Sequence, residues 1–372
     1  MASSIQIVPC FSLEPNKLAL FNRVFRPQKV DTVNENVFVK PLKVVEPIQL
    51  DFFQNAVPKQ NEAVDASNIW VENRDLKRVK RSHHNFTISD NAYRTLKRKI
   101  NWLYYLSKTK DITTYSGKRI YNFRLSFITL TLPAKQKTDT KTITNELFNQ
   151  FLTELRQRVQ LTNYVWRLEF QKNKNVHYHI VSDVYVDYFL CLKIWNRILE
   201  QHGYITDYHN KFAGLTLASY NKTVNPSGKI DFNTIAKRYA FGCKHNWSQP
   251  NTVDVKSVTN QKKISNYIAK YFGKNDTGKS LCNDLDTLEN SANLRLWFCS
   301  RSLSKLNSIT DFCEASIVDL YAVVSDITGV RRVFTRWCNL LYFDFKNCVQ
   351  ATNVLLHKML KSYAFGLGYS PS

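Results

Sequence analysis

Two histidines one residue apart, His177 and His179, stand in the run Val176-His177-Tyr178-His179-Ile180. Such an apolar run reads as a β-strand, in which alternation turns both imidazoles to one face and Val176, Tyr178 and Ile180 to the other. Two imidazoles on one face can grip one metal ion. Strand histidines also occur as partners of carboxylates in half-polar interiors, so the pair gains its weight from its company.

That company includes Tyr267-Ile268-Ala269-Lys270-Tyr271, in a stretch from about 262 to 272 that reads as a helix. The spacing sets Tyr267 and Tyr271 one turn apart on one face, with Lys270 close to both. Two phenols capable of nucleophilic attack and one ammonium suited to phosphate charge would share an edge. Packing of both rings against a sheet is the plain alternative.

The elements that must position these groups follow from periodicity. Residues 121–132 are rich in β-branched and aromatic side chains and stop at Pro133, as a central strand would, with Thr129 and Thr131 on one face in a supporting role. Ile143, Leu147, Phe148, Phe151, Leu152 and Leu155 mark one face of a helix. Residues 165–170 and 176–181, joined by the polar turn 171–175, read as a β-hairpin. If Glu169 pairs with His177, then Gln171 pairs with Asn175 and both Glu169 and Gln171 face the histidine side. A slip of one residue would bring Phe170 there instead. Further helices are expected from Ser89 onward, capped by Ser89 or Asp90, and at about 188–202; a looser region precedes a strand at 252–258.

Three motifs thus stand in order: Phe127-Ile128-Thr129-Leu130-Thr131-Leu132-Pro133, His177-Tyr178-His179 and Tyr267-Ile268-Ala269-Lys270-Tyr271. This order resembles the HUH endonucleases, specifically the rolling-circle replication initiators (Rep proteins) of single-stranded DNA phages and plasmids. The resemblance covers about residues 120–275, and Arg295-Leu296-Trp297-Phe298-Cys299-Ser300-Arg301 looks like a segment that trails the core in phage-type initiators.

The resemblance implies an α+β fold, an HUH endonuclease core with a central antiparallel sheet flanked by helices. It further implies His177, His179 and a third ligand, for which Glu169 is the candidate, around a divalent metal, Mg²⁺ or Mn²⁺. Tyr267 would be the first nucleophile and Tyr271 a second or a structural residue, with Lys270 stabilising phosphate charge. The implied activity nicks and rejoins single-stranded DNA at an origin through a 5′-phosphotyrosyl intermediate. Host DNA polymerase and helicase would be its partners, in the cytoplasm of a bacterial cell. A relaxase or transposase of the same superfamily, or a non-catalytic single-stranded DNA-binding protein with a structural metal site, remain alternatives.

Charge favours a polyanionic partner independently. The 372 residues carry 52 Lys and Arg against 30 Asp and Glu, a net +22. Between Arg74 and Arg124 fall 14 cations (74, 77, 78, 80, 81, 94, 97, 98, 99, 108, 110, 118, 119, 124) and three acids (75, 90, 111). Lys77, Arg78, Lys80, Arg81, Arg94, Lys97, Arg98 and Lys99 are candidate DNA contacts, the last four running into the aromatic stretch Trp102 to Tyr105. The stretch fits single-stranded DNA better than a membrane surface, and no apolar run reaches the length of a membrane span.

Eight cysteines show neither a Cys-x-x-Cys pair nor a regular spacing, which suggests free thiols rather than a zinc ribbon or disulfide framework. Residues 273–280 fit the P-loop pattern letter for letter, yet they follow a helix where a buried strand is needed and leave little chain for an ATPase. The expected organisation is an N-terminal segment 1–65 of unknown role, a basic, partly helical DNA-contacting region 66–119, the endonuclease core 120–275 and a small α-rich region 276–372.

Overall fold

The computed structural model describes residues 6–25, 88–171, 173–258, 294–335, 338–343 and 353–371. They belong to two compact units, one holding residues 6–25 and 308–363, the other residues 88–307 and 364–371.

The first unit begins with a tight hairpin, β1 (Gln6–Glu14) and β2 (Lys17–Phe25), paired along its whole length. The second unit opens with α1 (Asp90–Leu106), whose N-terminus is closed by Ser89 Oγ accepting from Ala92 N at 3.2 Å. Leu96, Ile100 and Leu103 are fully buried along its inner face. A short ribbon, β3 (Lys110–Thr113) and β4 (Arg119–Phe123), precedes β5 (Leu125–Thr131). The single apolar run of residues 121–132 is therefore two strands, parted at Arg124, with Asn122 left-handed at φ 55° inside β4.

After β5 come α2 (Thr140–Thr142), a π-helical turn over Ile143–Phe148 and α3 (Asn149–Val159), which form one helical path. The hairpin β6 (Tyr164–Phe170) and β7 (Val176–Ser182) follows, its turn drawn closed by Gln171 N donating to Asn175 O at 2.9 Å. Helices α4 (Tyr188–Glu200), α5 (Tyr204–Phe212), α6 (Leu217–Val224) and α7 (Phe232–Lys244) lead to β8 (Val253–Val258). The region read as loose is thus helical: Thr216 and Asp231 cap α6 and α7.

Strand β9 (Trp297–Cys299) and the short α8 (Arg301–Ser304) complete the sheet layer. The order is β8-β5-β7-β6-β9, antiparallel throughout, so β7 is its centre and β5 lies one place outward. An α+β architecture with a central antiparallel sheet is what the chain adopts.

One face of this sheet is apolar. Ile128, Leu130, Trp166, Leu168, Phe170, Val176, Tyr178, Ile180 and Val253 join residues of the α2–α3 path and α4 in a single core. Tyr178 stacks on Phe148 at 4.1 Å between ring centroids, and its hydroxyl meets Thr144 Oγ1 at 2.8 Å. Period-two alternation then fixes the opposite face, which carries His177 and His179.

The first unit is completed by β10 (Ile309–Phe312), α9 (Ala315–Ser325), β11 (Arg331–Phe334) and β12 (Cys338–Tyr342), giving a second antiparallel sheet of order β10-β1-β2-β12-β11. Helix α10 (Asn353–Gly366) comes last. The described part of residues 276–372 is therefore not simply α-rich: it supplies β9 to the histidine-bearing sheet and three strands to the sheet of β1 and β2. Residues 88–106 and 294–307 also belong with the core that the sequence delimits as 120–275.

Candidate functional site

Glu169 pairs with His177 across β6 and β7, and Arg167 pairs with His179. On the other side of β7, Thr131 pairs with His177 and Thr129 with His179. Two polar rows therefore cross the face opposite the apolar core, one of Thr131, His177 and Glu169, the other of Thr129, His179 and Arg167. Asp254 of the edge strand β8 extends the second row beside Thr129. The hairpin is in register, with Glu169 and not Phe170 beside His177, of the two pairings that the sequence leaves open.

The side chains close up within these rows. His179 Nε2 lies 3.4 Å from Glu169 Oε2, and Arg167 Nη1 lies 3.5 Å from Glu169 Oε1. Thr129 Oγ1 is 3.2 Å from His179 Nδ1, and Gln171 Nε2 is 3.1 Å from His177 Nδ1. The two imidazole rings sit edge to face with centroids 4.5 Å apart, and Phe127 stacks on His179 at 5.4 Å. Each imidazole thus has one nitrogen held by a neutral neighbour, which fixes its ring plane.

Burial keeps both imidazoles uncharged. Desolvation, with a smaller push from His179, lowers the His177 pKa to about 3. Desolvation also lowers that of His179, against the hydrogen bond and charge of Glu169. Both rings are neutral at physiological pH and present lone pairs.

The donor set suits a divalent ion in its chemistry: two neutral imidazoles and one carboxylate, whose Oε1 is buried without a hydrogen bond. Among the described residues no three or more His, Cys, Asp or Glu side chains are gathered as a ready-made cage, so the ligands would draw together on binding. Arg167, only 3% exposed, supplies positive charge beside Glu169 meanwhile. Arg167 is absent from the residues singled out by motif, although its place two residues before Glu169 puts it on the same strand face.

Of the cationic candidates, Arg94 and Lys97 are exposed on α1 and Arg98 is half-buried. Lys99 is a correction: it is 3% exposed, and its Nζ donates to Ser304 O at 2.9 Å, to Leu306 O and to Asn307 Oδ1 at 3.1 Å. Desolvation lowers its pKa to about 8. It ties α1 to the end of α8 and is not presented to a phosphate. Helical spacing could have hinted at this, since Lys99 adjoins Leu96, Ile100 and Leu103 on the buried side.

Tyr267, Lys270 and Tyr271 lie outside the described residues, as do Lys77, Arg78, Lys80, Arg81 and the P-loop-like stretch 273–280. The described cysteines are all free thiols, and no helix among the described residues is long and apolar enough to cross a membrane.

Residues 125–276 match the model of a family described as Replication-associated protein ORF2. The matched span starts at the first residue of β5 and contains the Phe127–Pro133, His177–His179 and Tyr267–Tyr271 motifs. No curated protein and no solved structure matches the chain. The similarity supports a replication-associated role.

Proposed function

We propose that this chain initiates replication by nicking and rejoining single-stranded DNA at an origin, in the rolling-circle manner. The observation that carries the reading is the pairing of Glu169 with His177, which sets a carboxylate and two neutral imidazoles on one face of the sheet that the family match spans. His177, His179 and Glu169 would hold Mg²⁺ or Mn²⁺, with Thr129 and Gln171 fixing the imidazole planes. A divalent ion bound there supplies Lewis acidity toward the non-bridging oxygens of the scissile phosphate.

The chain's own residues perform the transfer. The Tyr267 hydroxyl attacks phosphorus and gives up its proton to solvent, the bond to the 3′ oxygen breaks, and that oxygen takes up a proton from solvent to leave as a free 3′-hydroxyl able to prime a host polymerase. The 5′ phosphate stays joined to the tyrosine. Lys270 offsets phosphate charge, and Tyr271 serves the second, strand-closing transfer.

Cleavage of the single-stranded DNA of the replicon that encodes the chain tests this reading. It is expected with Mn²⁺ and lost both in chelator and in His177→Ala. Cleavage that survives His177→Ala at full rate would refute the assignment of the histidine pair. Salt-sensitive binding with no cleavage under any metal would select the non-catalytic DNA-binding alternative.

A further inference from the structure

A cleft that the catalytic reading does not use lies at the end of the strand beside the histidine pair. At its rim stands the end of β5, Thr131 to Pro133, and Thr131 is the direct register partner of His177. Neighbouring strands are about 5 Å apart, so the cleft begins one strand away from the histidine pair. Its volume is about 620 Å³, room for an unpaired nucleobase with its sugar and phosphate.

The far wall is α7. Lys237, Phe241 and His245 follow one another at four-residue spacing and so share a side of the helix, with Arg238 next to Lys237. Phe241 is 50% exposed, a large aromatic ring left in water, and lies 4.3 Å from the His245 ring between centroids. Lys237 and Arg238 are exposed beside it.

The floor is rigid. Trp247 is held in a left-handed backbone conformation (φ 53°), donates its N–H to Gly242 O at 2.8 Å and packs on Tyr220 and Phe212 at 5.1 and 5.3 Å. A Cβ on Gly242 would fall 2.2 Å from Trp247 Cζ3, so glycine is what allows the indole to lie against the helix. An aromatic ring exposed at the rim of a fixed cleft, flanked by two cations, is the arrangement that stacks a base and meets its phosphate.

We propose that this cleft receives an unpaired nucleobase of single-stranded DNA, stacked on Phe241, with the adjoining phosphate between Lys237 and Arg238. The assignment rests on the reading of the chain as acting on single-stranded DNA, and adds the subsite that would seat the strand next to the histidine pair.

The test measures binding of the full chain to a fluorescent oligo-dT of about 15 nucleotides and to an abasic strand of the same length. Phe241→Ala is expected to weaken oligo-dT binding by roughly 5- to 50-fold while leaving the abasic strand unaffected, and Phe241→Trp to restore the loss. Replacing Lys237 and Arg238 together by Gln should lower the salt slope of binding by roughly 0.7 per phosphate contact removed. Equal losses on both strands for Phe241→Ala, or an unchanged salt slope in the double variant, would overturn the proposal. Nicking is scored separately with His177→Ala: a base-dependent loss in Phe241→Ala without any nicking by the wild type would retain the cleft and reject the nuclease reading.

Discussion

In the proposed reading His177 bears two demands at once, since a metal ligand must be neutral and a half-buried strand residue must avoid uncompensated charge. Burial answers both by pushing its pKa down to about 3 from 6.5. The consequence for stability has a definite sign. Between those values the unfolded chain binds a proton that the folded chain does not, so stability is full above about pH 6.5 and is lost as the pH falls. For His177 the loss is about 2 kcal/mol at pH 5. Thermal melts in chelator should show the melting temperature dropping from pH 7 to pH 5, with a shallower drop in His177→Asn; an equal drop in the variant would mean that His177 does not carry the effect. Glu169 was legible at this scale as the acid on the strand before the histidines, but whether it faced them hung on a register that a one-residue slip would reverse. Lys99 has the charge of a phosphate contact but the helical spacing of a buried residue, and it turns in to meet Ser304 and Asn307.

Among the elements, strong periodicity was readable and weak periodicity was not. The hairpin β6–β7, helix α1 with its Ser89 cap and the apolar face of the α3 path all follow from spacing that one element carries by itself. The cluster α5–α7 does not: its helices bury their aromatic residues mainly in a small core of their own around Phe212, Tyr220, Ile235 and Trp247. That core explains why Gly242 matters. Gly242→Ala should cost about 1–3 kcal/mol by driving a methyl group into the Trp247 ring, measured by denaturant titration followed through tryptophan fluorescence. A stability equal to wild type would show that Trp247 can move aside. Strands β1 and β2 escaped notice for another reason, since β10 and β12, which flank them, come some 300 residues later in the chain.

For the whole molecule, the surplus of +22 favours a polyanionic partner, and the family match over residues 125–276 supports a replication-associated role. Charge supplies attraction to any nucleic acid, whereas in the proposed reading His177, His179 and Glu169 serve to polarise a phosphate that is to be cut. Covalent chemistry rather than binding is therefore what sets the proposed initiator apart. The deciding experiment incubates the protein and Mn²⁺ with circular single-stranded DNA of its own replicon, looks after denaturation for a protein band shifted by attached DNA, and locates the linkage by peptide mapping. A chelator-sensitive adduct at Tyr267 is expected, absent from His177→Ala and from Tyr267→Phe. A linkage at Tyr271 alone would reverse the roles of the two phenols, and the absence of any adduct from wild-type protein that binds this DNA would refute the nuclease reading.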